Sequence, residues 1–464
     1  MTVEEIVEKS CKNLPFVPTI LQFQLINALS AFIIYHGPKD VFILNGYAGT
    51  GKTSVMGALI KSLKDLNIKT VLLAPTGRAA KVASVFSGQK AYTIHKRLFR
   101  GNSLDPSNHQ LYLAPNNDVN TIFIVDESSL ITDSQSINAS ILQLLIKHVY
   151  SSPGCIMILV GDSAQLPPVG MTQSPAMKSE ILKNYYLNPI EFTLDQPLRQ
   201  AAKSGILYNA TFIRKALFNN LKISSFRIYK KRFPDIEIIG FDEIEDSLSS
   251  SWGDVGQEET LLITRSNKRA NKYNEAIRRH LLYAEEPLER GEKIIISKND
   301  YYWSKKNGLE DFLANGETVE ILWMGKPEKK YGRWFVDVEL RLQDKEEPIE
   351  AKIMLRSLMS DGPSIPKEEM QRFYNIVMAA YDGELSHKIK GALEDPYYNA
   401  LQVKYAYCVT CHKAQGGQWK HVYIDLGGLL LDNITGDDFY RWLYTAVTRA
   451  TEKVFFLNPD IKII

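Results

Sequence analysis

The sequence lacks the features that mark several specialised classes of protein. Four cysteines in 464 residues are too few for a disulfide scaffold. No apolar run approaches the ~18 residues that span a bilayer. The N-terminal segment MTVEEIVEKSCKN has no apolar core, so a signal peptide is not expected. These absences predict a soluble protein of a reducing compartment.

A strong excess of charge is missing as well. The chain has 55 Lys and Arg against 53 Asp and Glu, a net charge of +2, which argues against a protein held on nucleic acid by bulk charge alone. A local basic groove remains compatible with this balance. With 45% hydrophobic and 23% charged residues, the composition excludes a disordered or collagen-like chain. The length predicts two large domains or three of about 150 residues.

Two of the four cysteines, Cys408 and Cys411, form a single C-x-x-C with only His412 beside it. A tetrahedral zinc site needs further ligands, so packing is favoured over a metal or redox role. Both side chains are therefore expected to be buried.

Short apolar runs alternate with helical patterns in the first half of the chain, and the alternation returns near its end. Such alternation indicates βαβ units and open parallel sheets, whose ligands bind at the carboxyl ends of the strands. The predicted strands are 41–45, 70–74, 121–125, 155–160, 259–265, 405–409, 421–425 and 453–457, and the predicted helices are 52–66, 77–86, 134–149 and 267–282.

The stretch 288–400 shows turns and two-sided strands but little of this alternation. We therefore predict an α/β fold with two parallel-sheet core domains. The first spans 1–200, the second spans 201–287 and 401–464, and a small, mostly β domain at 288–400 is inserted into the second.

The segment GYAGTGKT at 46–53 fits G-x-x-x-x-G-K-[ST] and lies between a predicted strand and a predicted helix. Its glycines allow a loop whose backbone N–H groups surround phosphates, helped by the helix N-terminus. Lys52 is expected to reach the β- and γ-phosphates, and the Thr53 hydroxyl to bind Mg²⁺. A chance glycine-rich turn is disfavoured by the flanking strand and helix.

Two further strand ends carry polar residues suited to nucleotide hydrolysis. In TIFIVDESS, Asp126 is placed to hold Mg²⁺ through water and Glu127 to orient and deprotonate the attacking water, although acids at strand ends also serve as helix caps. In GDSAQLPPVG, Gln165 can bond a γ-phosphate or its water, and a plain turn is the alternative. Arg199 and Arg449 could neutralise transition-state charge, but most arginines are solvated surface groups.

Together these segments resemble the superfamily 1 helicases of group B, the RecD/Dda type that includes the Pif family. The resemblance covers about residues 15 to 457. It rests on seven segments in the family's order: GYAGTGKT, LLAPTGRAA, IVDESS, VGDSAQLPPVG, LRQ, YCVTCHKAQGGQW and LYTAVTRA.

The resemblance implies two RecA-like core domains with ATP and Mg²⁺ between them, a pin insertion at 96–119 in the first and an SH3-like barrel in the second. It places Gln22 against the adenine base, with Gln24 as the competing register. The implied catalytic residues are Lys52, Glu127, Gln165, Arg199 and Arg449, with Arg449 as arginine finger; the nucleotide-binding residues are Gln22, Gly46, Ala48, Gly49, Thr50, Gly51, Lys52, Thr53 and Ser54; the metal ligands are Thr53 and Asp126.

The same resemblance implies a set of single-strand contacts, here called the DNA-contact set. Hydroxyls, amides and a few cations suit sequence-neutral contact with phosphates. The set consists of Pro75, Thr76, Gly77, Arg78, Thr93, His95, Thr410, His412, Lys413 and Gln415.

Three segments leave alternatives open. The pin tip within 99–119 is not fixed by the sequence. FRIYKKRF at 226–233 interleaves aromatics with bases, which suits base stacking, but a solvated face is favoured. The same holds for YYWSKK at 301–306.

The predicted function is an ATP-dependent DNA helicase that translocates on single strands, 5′ to 3′ by resemblance, through closure of the two core domains. The alternatives are a single-strand translocase or remodeller, an RNA helicase, a nucleic-acid-binding scaffold and, least favoured, a small-molecule kinase. Single-stranded and fork DNA are the expected partners, with no membrane. A monomer in the cytoplasm or on the nucleoid would suffice, because one chain carries both halves of the ATP site.

Overall fold

The computed structural model describes residues 2–100, 112–132, 140–197, 204–309, 312–342, 347–427, 436–459 and 462–463. These residues form two parallel sheets and a curled antiparallel sheet, which confirms the predicted α/β class with two RecA-like cores and an inserted β domain. None of the described helices is long and apolar enough to cross a membrane.

The first core domain is a sheet covered by helices on both faces. Its elements are α1 (Val3–Asn13), α2 (Ile20–Tyr35), β1 (Asp40–Gly46), α3 (Lys52–Asp65), β2 (Thr70–Ala74), α4 (Gly77–Ser87), β3 (Ala91–Thr93), α5 (Ile94–Leu98), β4 (Phe99–Arg100), β5 (Tyr112–Leu113), β6 (Ile122–Val125), α6 (Ile141–Tyr150), β7 (Ile156–Gly161), α7 (Ser179–Asn184) and β8 (Asn188–Leu194).

Six of these strands pair in parallel in the order β3-β2-β6-β7-β1-β8. The apolar runs at β6 and β7 are buried along their whole length, as strands covered on both faces must be. One face packs against α1, α2 and α3, and the other against α5, α6 and α7. Because β6, β7 and β1 are neighbours, the segments that follow them meet at one edge of the sheet.

The remaining elements form the second core and its insertion. In chain order they are α8 (Gly205–Phe218), β9 (Arg227–Ile228), β10 (Ile236–Ile239), α9 (Ile244–Val255), β11 (Thr260–Thr264), α10 (Asn267–His280), β12 (Lys293–Ile296), α11 (Tyr302–Lys306), β13 (Thr318–Met324), β14 (Glu328–Lys330), β15 (Arg333–Leu342), β16 (Ile349–Met354), α12 (Lys367–Ala379), α13 (Leu385–Glu394), β17 (Val403–Tyr405), β18 (Cys408–Thr410), α14 (Cys411–Ala414), β19 (Trp419–Asp425), α15 (Gly436–Val447), β20 (Ala450–Leu457) and β21 (Lys462–Ile463).

The second parallel sheet has the order β10-β20-β19-β11-β18. Helices α8 and α15 cover one face, and α9 and α10 cover the other. The antiparallel sheet runs β14-β15-β13-β12-β17, with β16 paired to β15. The predicted strand at 405–409 is therefore wrong as one element: it divides between β17 of the antiparallel sheet and β18 of the core.

The insertion also contains two helices that the sequence pattern did not predict, α12 and α13. They are amphipathic and largely polar, and only Phe373, Val377 and Ala392 of them are buried. Phe373 stacks on Phe335, with ring centroids 6.1 Å apart, so the helices cover the outer face of β15.

Part of the predicted pin lies outside the described residues. β4 and β5 pair antiparallel through Phe99–Leu113 and Arg100–Tyr112, and the intervening residues 101–111, which include Leu111, are not described. The predicted helix over 134–149 begins at Ile141, and residues 133–139 before it are likewise not described.

Candidate active site

The loop after β1 has the geometry of a phosphate cradle. Gly49 and Gly51 have φ of 73° and 81°, a region that favours glycine. At Gly46, an added Cβ would lie 2.8 Å from Cδ of Lys52, so the lysine stem packs directly over this glycine. Helix α3 begins at Lys52, and within the described chain no side chain caps its first turn. Its N–H groups are thus available to an anion.

Gln22 supports this loop from α2. Its side chain is fully buried; Oε1 accepts from the Thr19 N–H at 2.9 Å, and Nε2 donates to the Thr50 carbonyl at 2.9 Å. The competing candidate, Gln24, is exposed. The geometry therefore puts Gln22 against the loop, while its contact with adenine stays a prediction.

The acids after β6 lie beside Lys52. Burial raises the pKa of Asp126, the Lys52 charge opposes that rise, and the Glu127 charge adds to it. Glu127 has φ of 50°, a strained conformation for a residue with a side chain, which costs about 1–3 kcal/mol. Its Oε2 is buried and has no hydrogen-bond partner within the described residues. This oxygen is thus available to a water or ligand.

These oxygens fit a magnesium site. Mg²⁺ prefers hard oxygen ligands, one or two of them carboxylates, and retains several waters. The Asp126 carboxylate and the Thr53 hydroxyl supply oxygens of this kind next to the phosphate cradle.

The loop after β7, residues 162–166, carries Gln165 to the same edge of the sheet. Asp162 shapes it: Oδ1 accepts from the Ala164 N–H at 2.9 Å, and its carbonyl accepts from the Gln165 N–H at 3.2 Å. The Ser163 N–H donates to Asn45 Oδ1 of β1 at 2.9 Å. Gln165 is buried, and its Oε1 has no partner in the part of the chain that the structure describes.

The second core domain closes the other side of this site through α15. The Tyr444 hydroxyl accepts from the Ala48 N–H at 2.8 Å and donates to Asp162 Oδ2 at 2.8 Å. The Leu166 N–H donates to Thr445 Oγ1 at 2.7 Å. Burial raises the pKa of Tyr444 far above its usual value, so the hydroxyl stays protonated. Both core domains therefore contribute to one cleft.

Comparisons with known proteins agree with this two-domain site. Residues 30–204 match the AAA domain family, and residues 405–457 match the UvrD-like helicase C-terminal domain. The Dda ATP-dependent DNA helicase of Enterobacteria phage T4 is 24% identical over 90% of this chain and 94% of its own length. The ATP-dependent RecD2 DNA helicase of Deinococcus radiodurans is 33% identical over 36% of this chain, and that match spans 21% of RecD2.

These matches agree with the resemblance of the chain to the superfamily 1 group B helicases of the RecD/Dda type. The chain is an ATP-hydrolysing helicase. Among solved structures, Pif1 helicase from Bacteroides in complex with ADP-AlF3 and ssDNA aligns with a TM-score of 0.44 at 15% identity, over 95% of this chain and 92% of that one.

The arginine-finger candidate of this helicase is bonded within its own domain. Arg449 Nε donates to the Thr445 carbonyl at 3.0 Å, Nη1 to the Gly417 carbonyl at 3.1 Å and Nη2 to Thr448 Oγ1 at 3.2 Å. Its contact with a γ-phosphate stays a prediction. Arg199 lies outside the described residues.

Two first-domain members of the DNA-contact set, Thr76 and Arg78, contact residues of the second core domain across the cleft. Thr76 caps α4, and a Cβ at Gly416 would lie 3.2 Å from its Oγ1. Arg78 stacks on Trp419 with its guanidinium carbon 3.7 Å from the ring centroid. Burial lowers the pKa of Arg78 to about 10, with Glu259 opposing the shift.

The second-domain members of the set surround the short helix α14. Burial lowers the pKa of Lys413 to about 8 and also lowers the pKa of His412. Thr410 precedes α14 and is buried. Gln415 Nε2 donates to the Leu166 carbonyl at 2.8 Å, which joins this region to the Gln165 loop.

The other first-domain members of the set lie beside α4 and α5. Pro75 and Gly77 flank Thr76 at the start of α4. Thr93 caps α5 by accepting from the Lys96 N–H at 3.2 Å, and burial lowers the pKa of His95. DNA contact by these residues stays a prediction.

Two aromatic segments pack differently from a stacking surface. Trp303 of YYWSKK is buried and donates from Nε1 to the Asn399 carbonyl at 2.9 Å, so it is a core residue. In FRIYKKRF, Phe226 is buried while Lys230 and Lys231 are exposed, as expected of a solvated face. The cysteines Cys408 and Cys411 are free and buried, as packing predicts.

Sequence reasoning missed the residues that cross the cleft. Tyr444 lies within LYTAVTRA and Arg441 lies two residues before it, but the sequence pattern pointed only to Arg449. Their i, i+3 spacing on α15 was the available signal, since it places both on one helix face.

Proposed function

We propose that this helicase moves along single-stranded DNA in the 5′-to-3′ direction and separates duplex DNA by ATP-driven closure of its two core domains. The proposal is carried by the hydroxyl of Tyr444, a residue of the second core domain. This hydroxyl bonds both the P-loop amide of Ala48 and the carboxylate of Asp162, which belong to the first core domain. A nucleotide bound at Lys52 would therefore act on both domains at once. The name of the phage relative, an ATP-dependent DNA helicase, supports the substrate class.

Each nucleotide-site residue has a role in this proposal. Lys52 and the N-terminal turn of α3 hold the phosphates, and Thr53 with Asp126 would hold Mg²⁺, which supplies charge neutralisation when bound. Glu127 orients and deprotonates the attacking water through its unpartnered carboxylate oxygen. Gln165 bonds the same water or the γ-phosphate. Arg449 would have to leave the Gly417 carbonyl to serve as a finger.

Strand binding is assigned to the surface where first-domain members of the DNA-contact set contact the second core domain. Gly416 lies against Thr76, and Arg78 stacks on Trp419. A change in the width of the cleft would therefore change the distance between the strand contacts of the two core domains. A monomer suffices, because both halves of the ATP site belong to one chain. The cytoplasm or the nucleoid is the compartment that suits this function.

The test is steady-state ATP hydrolysis with and without a short single-stranded DNA at one stated salt concentration. Wild-type protein is expected to show strong stimulation of ATP hydrolysis by the DNA. Lys52→Ala is expected to show no stimulation, because the phosphates of ATP lose the ammonium group of Lys52. A pair of duplexes with 5′ or 3′ tails then reports polarity. Stimulation without unwinding of either duplex would favour a translocase, and stimulation by RNA alone would overturn the DNA assignment.

A further inference from the structure

The side of α15 that faces the first core domain carries three polar side chains, of which the proposed function so far uses only Tyr444. Arg441, Tyr444 and Thr445 are spaced i, i+3 and i+4, so they share one helix face. We call these three side chains the α15 latch. All three bond to the first core domain.

The latch holds the Gln165 loop from both ends. Tyr444 donates to Asp162 at its start, and Thr445 accepts from the Leu166 N–H at its end. Between these points, Arg441 Nη1 donates to the Ser163 carbonyl, and to the Gln165 carbonyl at 3.3 Å. The loop that carries Gln165 is thus shaped by the opposite domain.

Tyr444 connects that loop to the phosphate cradle. Its hydroxyl accepts one bond, from Ala48 of the P-loop, and donates one, to Asp162. Tyr444, Thr445 and Asp162 are all almost fully buried, so water does not replace these bonds readily. The hydroxyl therefore fixes the distance between the P-loop and the Gln165 loop.

We propose that the α15 latch positions Gln165 and the P-loop for hydrolysis, and that Tyr444 is its principal positioning residue. The proposal rests on the proposed function, since it concerns the same ATP site. Loss of the Tyr444 hydroxyl leaves the phosphate contacts in place but frees the Gln165 loop. A misplacement of about 1 Å can cost roughly 100-fold in rate.

The experiment measures kcat and KM for ATP, with and without single-stranded DNA, in the full chain. Tyr444→Phe and Thr445→Val are expected to lower the DNA-stimulated kcat by roughly 10- to 100-fold, with KM for ATP within about threefold of wild type. Thr445→Ser, which keeps the accepting hydroxyl, should recover most of the loss seen in Thr445→Val. The exposed Tyr283, changed to Phe, is the matched control.

A thermal melt accompanies each variant and separates positioning from folding. The proposal is overturned if Tyr444→Phe and Thr445→Val keep the wild-type kcat and DNA stimulation. It is also overturned if Thr445→Ser loses as much as Thr445→Val, or if kcat falls only with the folded fraction. If Tyr444→Phe does not fold, the two Thr445 variants decide. Failure of the proposed function is distinct, because wild type itself would then show no DNA-stimulated hydrolysis.

Discussion

The two sides of the nucleotide cleft are built in different ways. On the P-loop side, strand, loop and helix follow one another within residues 40–65. On the opposite side, the contact to Ala48 comes from Tyr444, 396 positions away in sequence. The first side is a local structure that a short motif specifies. The second depends on the packing of two domains, so its contacts emerge only in the folded chain.

The largest effect is expected from the local side. Glu127→Gln keeps the shape of the side chain but removes its basicity, so hydrolysis should fall by roughly 10²- to 10⁴-fold while nucleotide binding persists. Single-turnover hydrolysis and binding of a fluorescent nucleotide measure the two separately. If kcat falls by less than about tenfold, Glu127 is not the general base.

A smaller effect is expected on the far side, at Lys413. Its lowered pKa of about 8 leaves the ammonium mostly charged at pH 7 and mostly neutral at pH 9. Phosphate binds the charged form, so the affinity for single-stranded DNA should weaken by up to about tenfold over this range. Fluorescence anisotropy at constant ionic strength measures this change in the absence of nucleotide.

The matched variant for this prediction is Lys413→Arg, since a guanidinium stays charged at pH 9. Its DNA affinity should be nearly independent of pH over the same interval. An unchanged pH dependence in Lys413→Arg would remove Lys413 from the DNA-contact set.

The same contrast explains how far the sequence could be interpreted. The strand at 41–45 and the helix at 52–66 were predictable because apolar periodicity and the glycine-rich loop specify them locally. The strand at 405–409 was mispredicted because it divides between two sheets, and assignment to a sheet is a tertiary property. Trp303 was ambiguous for a related reason, since only packing shows which side of a short helix is covered.

Gln22 is intermediate between a locally specified motif and a contact between two domains. Its substitution is expected to have the smallest effect on ATP hydrolysis. Gln22 is 28 positions from the Thr50 carbonyl that it bonds, within the same domain, and α2 holds its backbone. Gln22→Ala removes one buried hydrogen bond to the P-loop, worth about 0.5–1.5 kcal/mol, so KM for ATP should rise roughly 3- to 10-fold with little change in kcat.

Gln24→Ala is the natural control for this substitution, because Gln24 is exposed on the same helix and was the competing register. Comparing ATP with GTP sharpens the test. If Gln22 only supports the loop, both nucleotides lose equally; if it also contacts adenine, ATP loses more, because only that base gains from the amide. An effect of Gln24→Ala as large as that of Gln22→Ala would contradict the assignment and place the base on the exposed side of α2.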